Sequence, residues 1–218
     1  MVEKQIKSKK RVADHGEVFT SEREVNAMLD LVKQETERIE SRFLEPACGD
    51  GNFLAEILRR KLAVVKSRYK KSFSDYEKYA VVAITSIYGV DILKDNVDDC
   101  RKRLFEIWDK EYKSNCKKDV NDDCRKAVKF ILDRNILCGD ALTLKEHDDE
   151  PIIFSEWSLF GSMIKRRDFR LDQMLEGHTE QISLFMTGWE YDEEVQAFIP
   201  LPIREHPLID YRGVHLNG

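Results

Sequence analysis

Three short clusters in this chain set glycine close to a carboxylate: Glu45-Pro46-Ala47-Cys48-Gly49-Asp50-Gly51, Gly89-Val90-Asp91 and Gly139-Asp140. A glycine-rich turn behind a first strand lets a ligand come close to the backbone. The N–H groups opening the next helix then meet an anionic group. A carboxylate ending a second strand accepts from both ribose hydroxyls, and one behind a third strand accepts from an adenine amino group. Acidic side chains at these places suit a cationic ligand better than a phosphate-bearing one. Each cluster also has a plainer role. Gly49-Asp50-Gly51 alone is an ordinary turn, Asp91 is a cap for the helix behind it, and Asp140 is a turn residue after a strand. Cys48 reads as a passive small residue in its turn.

A parallel sheet is what brings such clusters together. Arg42–Glu45 reads as a short strand running into the glycine turn. Leu54, Ile57, Leu58, Leu62 and Val65 then recur at helical spacing. Lys66–Ser74 reads as a connection, and Ser74-x-x-Glu77 as a capping box for a helix over Tyr76–Ile84. Ser86–Val90 is a second strand ending at Asp91. Val97, Cys100, Leu104, Ile107 and Trp108 mark the next helix, and residues 122–132 another. A third strand, Asn135–Cys138, ends in Gly139-Asp140, and Pro151–Phe154 is a candidate fourth. Upstream, Ser21-x-x-Glu24 caps a helix with Val25, Met28, Leu29 and Val32 on one face. The alternation predicts an α/β fold with helices on both faces of a parallel sheet, whose ligands bind beyond the carboxyl ends of the strands. Asp91 lies 40 residues beyond Gly51, where a minimal unit has roughly 20; the Lys66–Ile84 stretch lengthens the crossover.

The remainder of the chain is less regular. Asp168–Leu175 reads as helical, Ile182–Phe198 as a hairpin around Tyr191-Asp192-Glu193, and Pro200, Pro202 and Pro207 predict an extended end. The expected organisation is a basic segment and helix over residues 1–40, a ligand-binding domain over 41–160, and a short irregular extension over 161–218.

Composition bounds the function. With 42% hydrophobic and 35% charged residues, the chain is globular with a charged surface. No apolar run reaches the ~18 residues of a membrane span, and no apolar stretch follows the basic start to make a secretory signal. Five cysteines without C-x-x-C spacing predict reduced thiols in a cytoplasmic protein and no metal site. A net charge of −5 is unlike the basic field of a protein that holds DNA by itself. Only Lys7–Arg11 and Lys165-Arg166-Arg167 offer basic patches, each more simply a solvated surface. DNA binding by the chain alone is expected to be weak or indirect.

The longer string Phe43-Leu44-Glu45-Pro46-Ala47-Cys48-Gly49-Asp50-Gly51-Asn52-Phe53-Leu54 resembles motif I of the N6-adenine DNA methyltransferases of restriction–modification systems. Gly16-Glu17-Val18-Phe19-Thr20 resembles their motif X, Tyr88-Gly89-Val90-Asp91-Ile92 their motif II, and Cys138-Gly139-Asp140-Ala141-Leu142 their motif III. The four stand in the family's order over roughly residues 14–145. The resemblance implies a Rossmann-like class I methyltransferase fold, present as a partial sheet, and S-adenosylmethionine as cofactor. It places Phe19 and Thr20 beside the methionine moiety and makes Glu45, Ala47, Gly49 and Gly51 the cofactor turn. It sets Asp91 on the ribose, Ile92 against the adenine, and Asp140 on the adenine amino group with Ala141 beside it.

The family's acceptor motif, Asn-Pro-Pro-Tyr behind the fourth strand, has no counterpart, because the sequence contains no Pro-Pro pair. In the family the flipped adenine stacks on that aromatic ring, and the amide orients the amino group. Ser155-Glu156-Trp157-Ser158 stands in this place, so Glu156 and Trp157 are weak catalytic candidates, with a structural tryptophan as the simpler role. The resemblance therefore implies an incomplete or split enzyme, inactive without a second methyltransferase subunit that supplies the acceptor motif and target recognition. The alternatives are a non-catalytic cofactor-binding or assembly module, and a small-molecule methyltransferase with its acceptor site near Trp157.

Overall fold

The computed structural model describes residues 6–176, 189–192 and 197–216. A short helix α1 (Lys9–His15) is capped by the Ser8 hydroxyl. Helix α2 (Glu22–Leu31) begins at the expected capping box, Ser21 and Glu24 each accepting from the other's backbone N–H, which satisfies two of the donors that a helix start leaves open. It buries Val25 and Leu29, and a single turn, α3 (Lys33–Thr36), leads to strand β1 (Phe43–Glu45).

Helix α4 (Asn52–Tyr69) follows the glycine turn and buries Leu54, Ile57, Leu58, Leu62 and Val65, the stripe its 3.6-residue period dictates. It runs through part of the stretch expected to be a connection. Helix α5 (Phe73–Thr85) is capped by Ser72, whose hydroxyl accepts from the Asp75 N–H. The predicted box at Ser74 and Glu77 does not form, because Glu77 is fully buried. Strand β2 (Ile87–Asp91), buried throughout, is followed by helices α6 (Lys94–Cys116) and α7 (Asp122–Asn135) and by strand β3 (Ile136–Cys138).

These strands form a parallel sheet in the order β1-β2-β3, with Glu45 opposite Gly89 and Asp91 opposite Cys138. Helices α4, α6 and α7 pack on it, and the α/β architecture is the one expected. On one face α4 lies so close that a Cβ on Gly89 would come within 2.9 Å of Leu54 Cδ1. Tyr88 points the other way, and its hydroxyl donates to the Ser155 carbonyl at 3.0 Å.

The candidate fourth strand does not extend this sheet. Strand β4 (Ile153–Phe160) turns at Gly161 and pairs antiparallel with β5 (Met163–Arg170). Residues 168–170, expected to be helical, belong to β5, and helix α8 is short (Leu171–Glu176). The misreading has a physical origin. The inward positions of β5 alternate Ile164, Arg166, Asp168, so charged residues hide its period of two. Within the fold those charges meet one another, with Arg166 Nη1 left without a hydrogen-bond partner: Arg166 Nε donates to Asp168 at 2.8 Å, Ser155 to Asp168 at 2.7 Å, and His206 lies 3.0 Å from the same carboxylate. Burial works against ionisation here, yet the hydrogen bonds from Arg166, His206 and Ser155 hold the Asp168 carboxyl below the usual range.

Strands β6 (Trp189–Asp192) and β7 (Ala197–Pro200) pair antiparallel, so Tyr191 and Asp192, expected in the turn of a hairpin, belong to a strand; residues 182–188 and 193–196 of that expected hairpin lie outside the described residues. Strands β8 (Arg204–Glu205) and β9 (Ile209–Asp210) join β5, so the end is ordered where an irregular tail was expected. It closes in a 3-10 helix, Tyr211–Leu216, packed on α7. All five cysteines are free. Among the described residues no helix is long and apolar enough to cross a membrane.

Two buried charges join distant parts of this fold. Glu77 accepts from Tyr112, from Tyr211 at 2.6 Å and from Arg212 Nε at 2.7 Å. Lys61, also fully buried, donates to the Ile39 carbonyl at 3.0 Å, the Ser86 hydroxyl at 2.6 Å and the Ser41 carbonyl. That fastens the approach to β1 onto the start of β2. Glu77→Leu strands these partners and is expected to lower stability by ~3–5 kcal/mol while freeing the closing helix. Urea denaturation and trypsin cleavage at Arg212 measure the two effects.

Burial pushes Lys61 down to about 7. Below that pH the folded protein carries the cost of a buried ammonium. Above it, the unfolded chain binds the extra proton until its ordinary pKa, so the Lys61 contribution to stability rises with pH. Between pH ~7 and ~8.5 wild type is expected to gain stability relative to Lys61→Met. Urea midpoints that move in parallel across this range contradict it.

Candidate functional site

The carboxyl ends of β1, β2 and β3 meet at Asp91. This side chain is 9% exposed and almost fully engaged. Its Oδ2 accepts the Gly49 N–H at 2.9 Å. Its Oδ1 accepts the Leu93 N–H at 2.9 Å and Asn96 Nδ2 at 3.2 Å. Of roughly four lone-pair sites on a carboxylate, three are taken. Asp91 thus braces the approach to α6 from two residues before the cap position, which Leu93 occupies, and holds the glycine turn of β1 as well. Backbone bonds complete the junction: Cys48 N–H to Val90 O at 2.9 Å, Gly139 N–H to Asp91 O at 3.0 Å, and Gly51 N–H to Cys48 O at 2.8 Å.

The turn needs its glycines. Gly49 and Gly51 both sit in the left-handed region, at φ 53° and 87°, which side chains rarely adopt. A Cβ on Gly51 would stand 2.7 Å from Cys100 Sγ, and one on Gly49 would stand 3.1 Å from the Phe19 ring. Phe19 therefore lies directly on the turn. The Thr20 carbonyl accepts from Asn52 Nδ2 at 3.0 Å, tying the same loop to the start of α4. Phe19 and Thr20 also line an open groove with Val18, Glu24, Ala27 and Met28.

Asp140 caps its own turn, Oδ1 accepting the Leu142 N–H at 2.8 Å, and stays half-buried beside Ala141. Ile92 is 46% exposed, an apolar side chain open to solvent directly after a strand end. Ala47 is exposed and Glu45 half-buried. Burial pushes the Glu45 carboxyl up, against one backbone hydrogen bond from Ala47. Burial also raises Asp50. Its Oδ1 has no hydrogen-bond partner, although the Arg103 guanidinium stands 3.4 Å away; the charge is balanced while the geometry is too poor for a hydrogen bond. The predicted cofactor residues thus gather at one end of the sheet.

Glu156 and Trp157 do not join them. The Trp157 indole donates to Asn135 Oδ1 at 2.8 Å. Asn135 in turn donates to the carbonyl of Ile87, the first residue of β2, at 3.0 Å. Trp157 therefore lies at the amino end of the sheet. It is 7% exposed and packed edge-on against Phe130, with no face for a base. Glu156 pairs with Arg42, just before β1, and with Arg167, both at 2.6 Å. Both candidates thus stand apart from the cofactor set, although Trp157 lines a cavity of about 340 Å³ with Arg42, Tyr79, Ser86 and Leu159 at that far end. Glu156 does line an apolar cavity of about 160 Å³ with Phe43, Leu44, Tyr88 and Phe154, but none of the cofactor set does.

The basic patches are largely paired, with Lys9 and Lys10 left exposed. Lys165 pairs with Glu205, Arg166 with Asp168 and Arg167 with Glu156. Lys7 and Arg11 pair with Asp95, Asp99 and Glu17. Sequence reasoning passed over Asn96, which is buried between Asp91 and the N-terminal segment, because an asparagine inside a charged helix carries no pattern. It passed over Asn52 for the same reason.

No family model matches the chain, and no solved structure matches it. DNA methyltransferase A of Bacillus subtilis (strain 168) is 24% identical over 146 residues, a match that covers 61% of this chain and 16% of that protein. The chain thus spans a small part of its relative's length.

Proposed function

We propose that the chain is the S-adenosylmethionine-binding part of a DNA adenine-N6 methyltransferase of a restriction–modification system, with the adenine acceptor supplied by a second polypeptide. The observation that carries this reading is the convergence of Gly49, Asp91 and Asp140 at the carboxyl ends of three parallel strands, with Asp91 hydrogen-bonded to Gly49. The chemistry of the donor set fits the cofactor. Asp91 keeps one acceptor position for a ribose hydroxyl, and Asp140 keeps Oδ2 for an adenine amino group. Ile92 offers an exposed apolar face to the adenine, and Glu45, Asp50 and Asp91 set carboxylates about the turn, with Arg103 beside Asp50. Phe19 covers the turn and would screen the amino acid end from water. The cofactor supplies an electrophilic methyl group; this chain's residues bind and orient it.

The acceptor side rests on different ground. The sequence has no Asn-Pro-Pro-Tyr motif, and Trp157 is buried at the far end of the sheet. A cofactor-binding module without catalysis is the second reading, favoured by this same burial.

Titration calorimetry is expected to show S-adenosylhomocysteine binding, weakened ~1.5–3 kcal/mol in Asp91→Ala. Asp140→Asn, which retains the acceptor for Leu142, is expected to weaken it less. An absence of heat at millimolar ligand would sink the proposal. With a net charge of −5, the chain alone is expected to bind duplex DNA weakly and without sequence preference; nanomolar specific binding at physiological salt contradicts this. Radiolabelled methyl transfer to DNA is expected to be undetectable with the chain alone and to appear on adding the product of the adjacent gene. Labelling by the chain alone would refute a split acceptor, and no labelling with the partner would favour the non-catalytic module.

A further inference from the structure

The N-terminal segment is joined to Asp91 by a chain of side chains that the proposed cofactor contacts do not include. Asn96 is 1% exposed, and its amide is fully used. Nδ2 donates to Glu17 Oε1 at 2.7 Å and to Asp91 Oδ1 at 3.2 Å. Oδ1 accepts from Lys7 at 2.8 Å and from Arg11 at 3.0 Å. Arg11 grips both Glu17 oxygens at 2.6 Å, in the bidentate geometry that makes such pairs strong. It also reaches Asp95 at 2.5 Å, and Lys7 reaches Asp99 at 2.8 Å. The Glu17 side chain is 8% exposed and the Arg11 side chain 23%, so the network runs from a solvent-facing rim to a buried carboxylate.

Glu17 opens the loop that carries Phe19 over Gly49. That loop has two anchors: Glu17 on Asn96 at one end, and Thr20 on Asn52 at the other, where Asn52 Oδ1 also accepts from Arg103 at 2.6 Å. A buried amide with four partners has one geometry that satisfies them all. It sets the loop and the Asp91 carboxylate in a fixed relation before any ligand arrives.

We propose that Asn96 and Glu17 are positioning residues of the cofactor site, with α1 as an ionic strap that keeps the Phe19 loop closed on the glycine turn. The inference rests on cofactor binding at Asp91. A preformed site avoids the ordering cost on binding, so loosening the strap lowers affinity although neither residue touches the ligand. The rim of the strap consists of exposed ion pairs, which salt screens. Affinity for a ligand without net charge should therefore depend on salt through the strap alone.

The test uses the full chain and S-adenosylhomocysteine, whose ammonium and carboxylate cancel near neutral pH. Its Kd is measured by calorimetry at ~0.05 and ~1 M salt, between which the screening length falls to ~3 Å. Circular dichroism verifies that each variant is folded at the assay temperature. Glu17→Gln and Asn96→Ala are expected to weaken binding on the order of tenfold at low salt. Wild type is expected to weaken at high salt, whereas Arg11→Gln starts weak and loses most of the salt dependence, Lys7 on Asp95 and Asp99 keeping the remainder. Arg11 lies at the rim, so its variant serves even where Asn96→Ala fails to fold. A strap that only supports the fold would lower the melting temperature of these variants and leave their Kd at the wild-type value, overturning the inference while cofactor binding stands. Wild type that does not bind overturns both.

Discussion

One carboxylate holds the working end of this protein together. Asp91 is taken out of water, which is costly for a charge unless hydrogen bonds replace its hydration. Its replacements come from three places: the glycine turn behind β1, the start of α6, and Asn96 inside that helix. Much of the local geometry follows. For the Gly49 N–H to reach Asp91 the turn must pass through left-handed conformations, which only glycine adopts at little cost. The tight turn then brings Gly51 so near Cys100 that no side chain fits. Phe19 settles on the surface that the missing Cβ of Gly49 leaves open. Removing the carboxylate would leave two backbone donors without partners and Asn96 with one fewer, and the glycine turn would lose its side-chain link to β2.

The same logic recurs elsewhere. Lys61 fastens the approach to β1 onto β2, Glu77 binds the closing helix to α5 and α6, and Asp168 gathers Ser155, Arg166 and His206. Each is a buried charge surrounded by hydrogen-bond partners. Such groups contribute less net stability than apolar packing of the same volume, but they penalise any arrangement that leaves a partner unpaired. The Asp168 cluster ties the antiparallel strands to one another, and Tyr88 on the Ser155 carbonyl, Trp157 on Asn135 and Arg42 on Glu156 hold them to the α/β unit at defined points. The network also explains why a run of three basic residues, Lys165 to Arg167, makes no basic surface. Strand alternation sends Arg166 inward to Asp168 and leaves its neighbours facing Glu205 and Glu156.

What the sequence made legible was whatever depends on local pattern. The Ser21 and Glu24 box, the α4 stripe, and three strands ending in Glu45, Asp91 and Asp140 follow from capping chemistry and periodicity. What it hid depends on partners distant in the chain. Ser72 rather than Ser74 caps α5 because Glu77 is drawn into the core by Tyr211 and Arg212, more than 130 residues away. Strand β5 was concealed by charges whose partners lie on β4 and beyond β8. Asn96 became visible only once α1 was seen lying across α6. In the site, the glycine turn and the acidic strand ends were readable, and the buried amide that links them to the N-terminus was not.

The residues that best separate ligand binding from architecture are those with no structural task. Asp91 and Asp140 each hold a backbone turn, so their presence is explained by folding alone, whatever else they do. Gly49 and Gly51 are required by the turn itself. Ile92 is different. It stands immediately after a buried strand, beside the most constrained carboxylate in the site, and leaves 46% of its surface in water. An apolar side chain there lowers no folding energy that a polar one would not, since its neighbours Asp91 and Leu93 already fix the backbone. Burying it under a flat ring recovers the hydrophobic free energy that folding left unused, at ~25 cal/mol per Å². A site with two acidic acceptors and one exposed aliphatic face between them is complementary to a nucleoside, whose sugar and amino group donate and whose ring is apolar. That complementarity adds to the convergence of Gly49, Asp91 and Asp140 at the strand ends, which carries the cofactor reading.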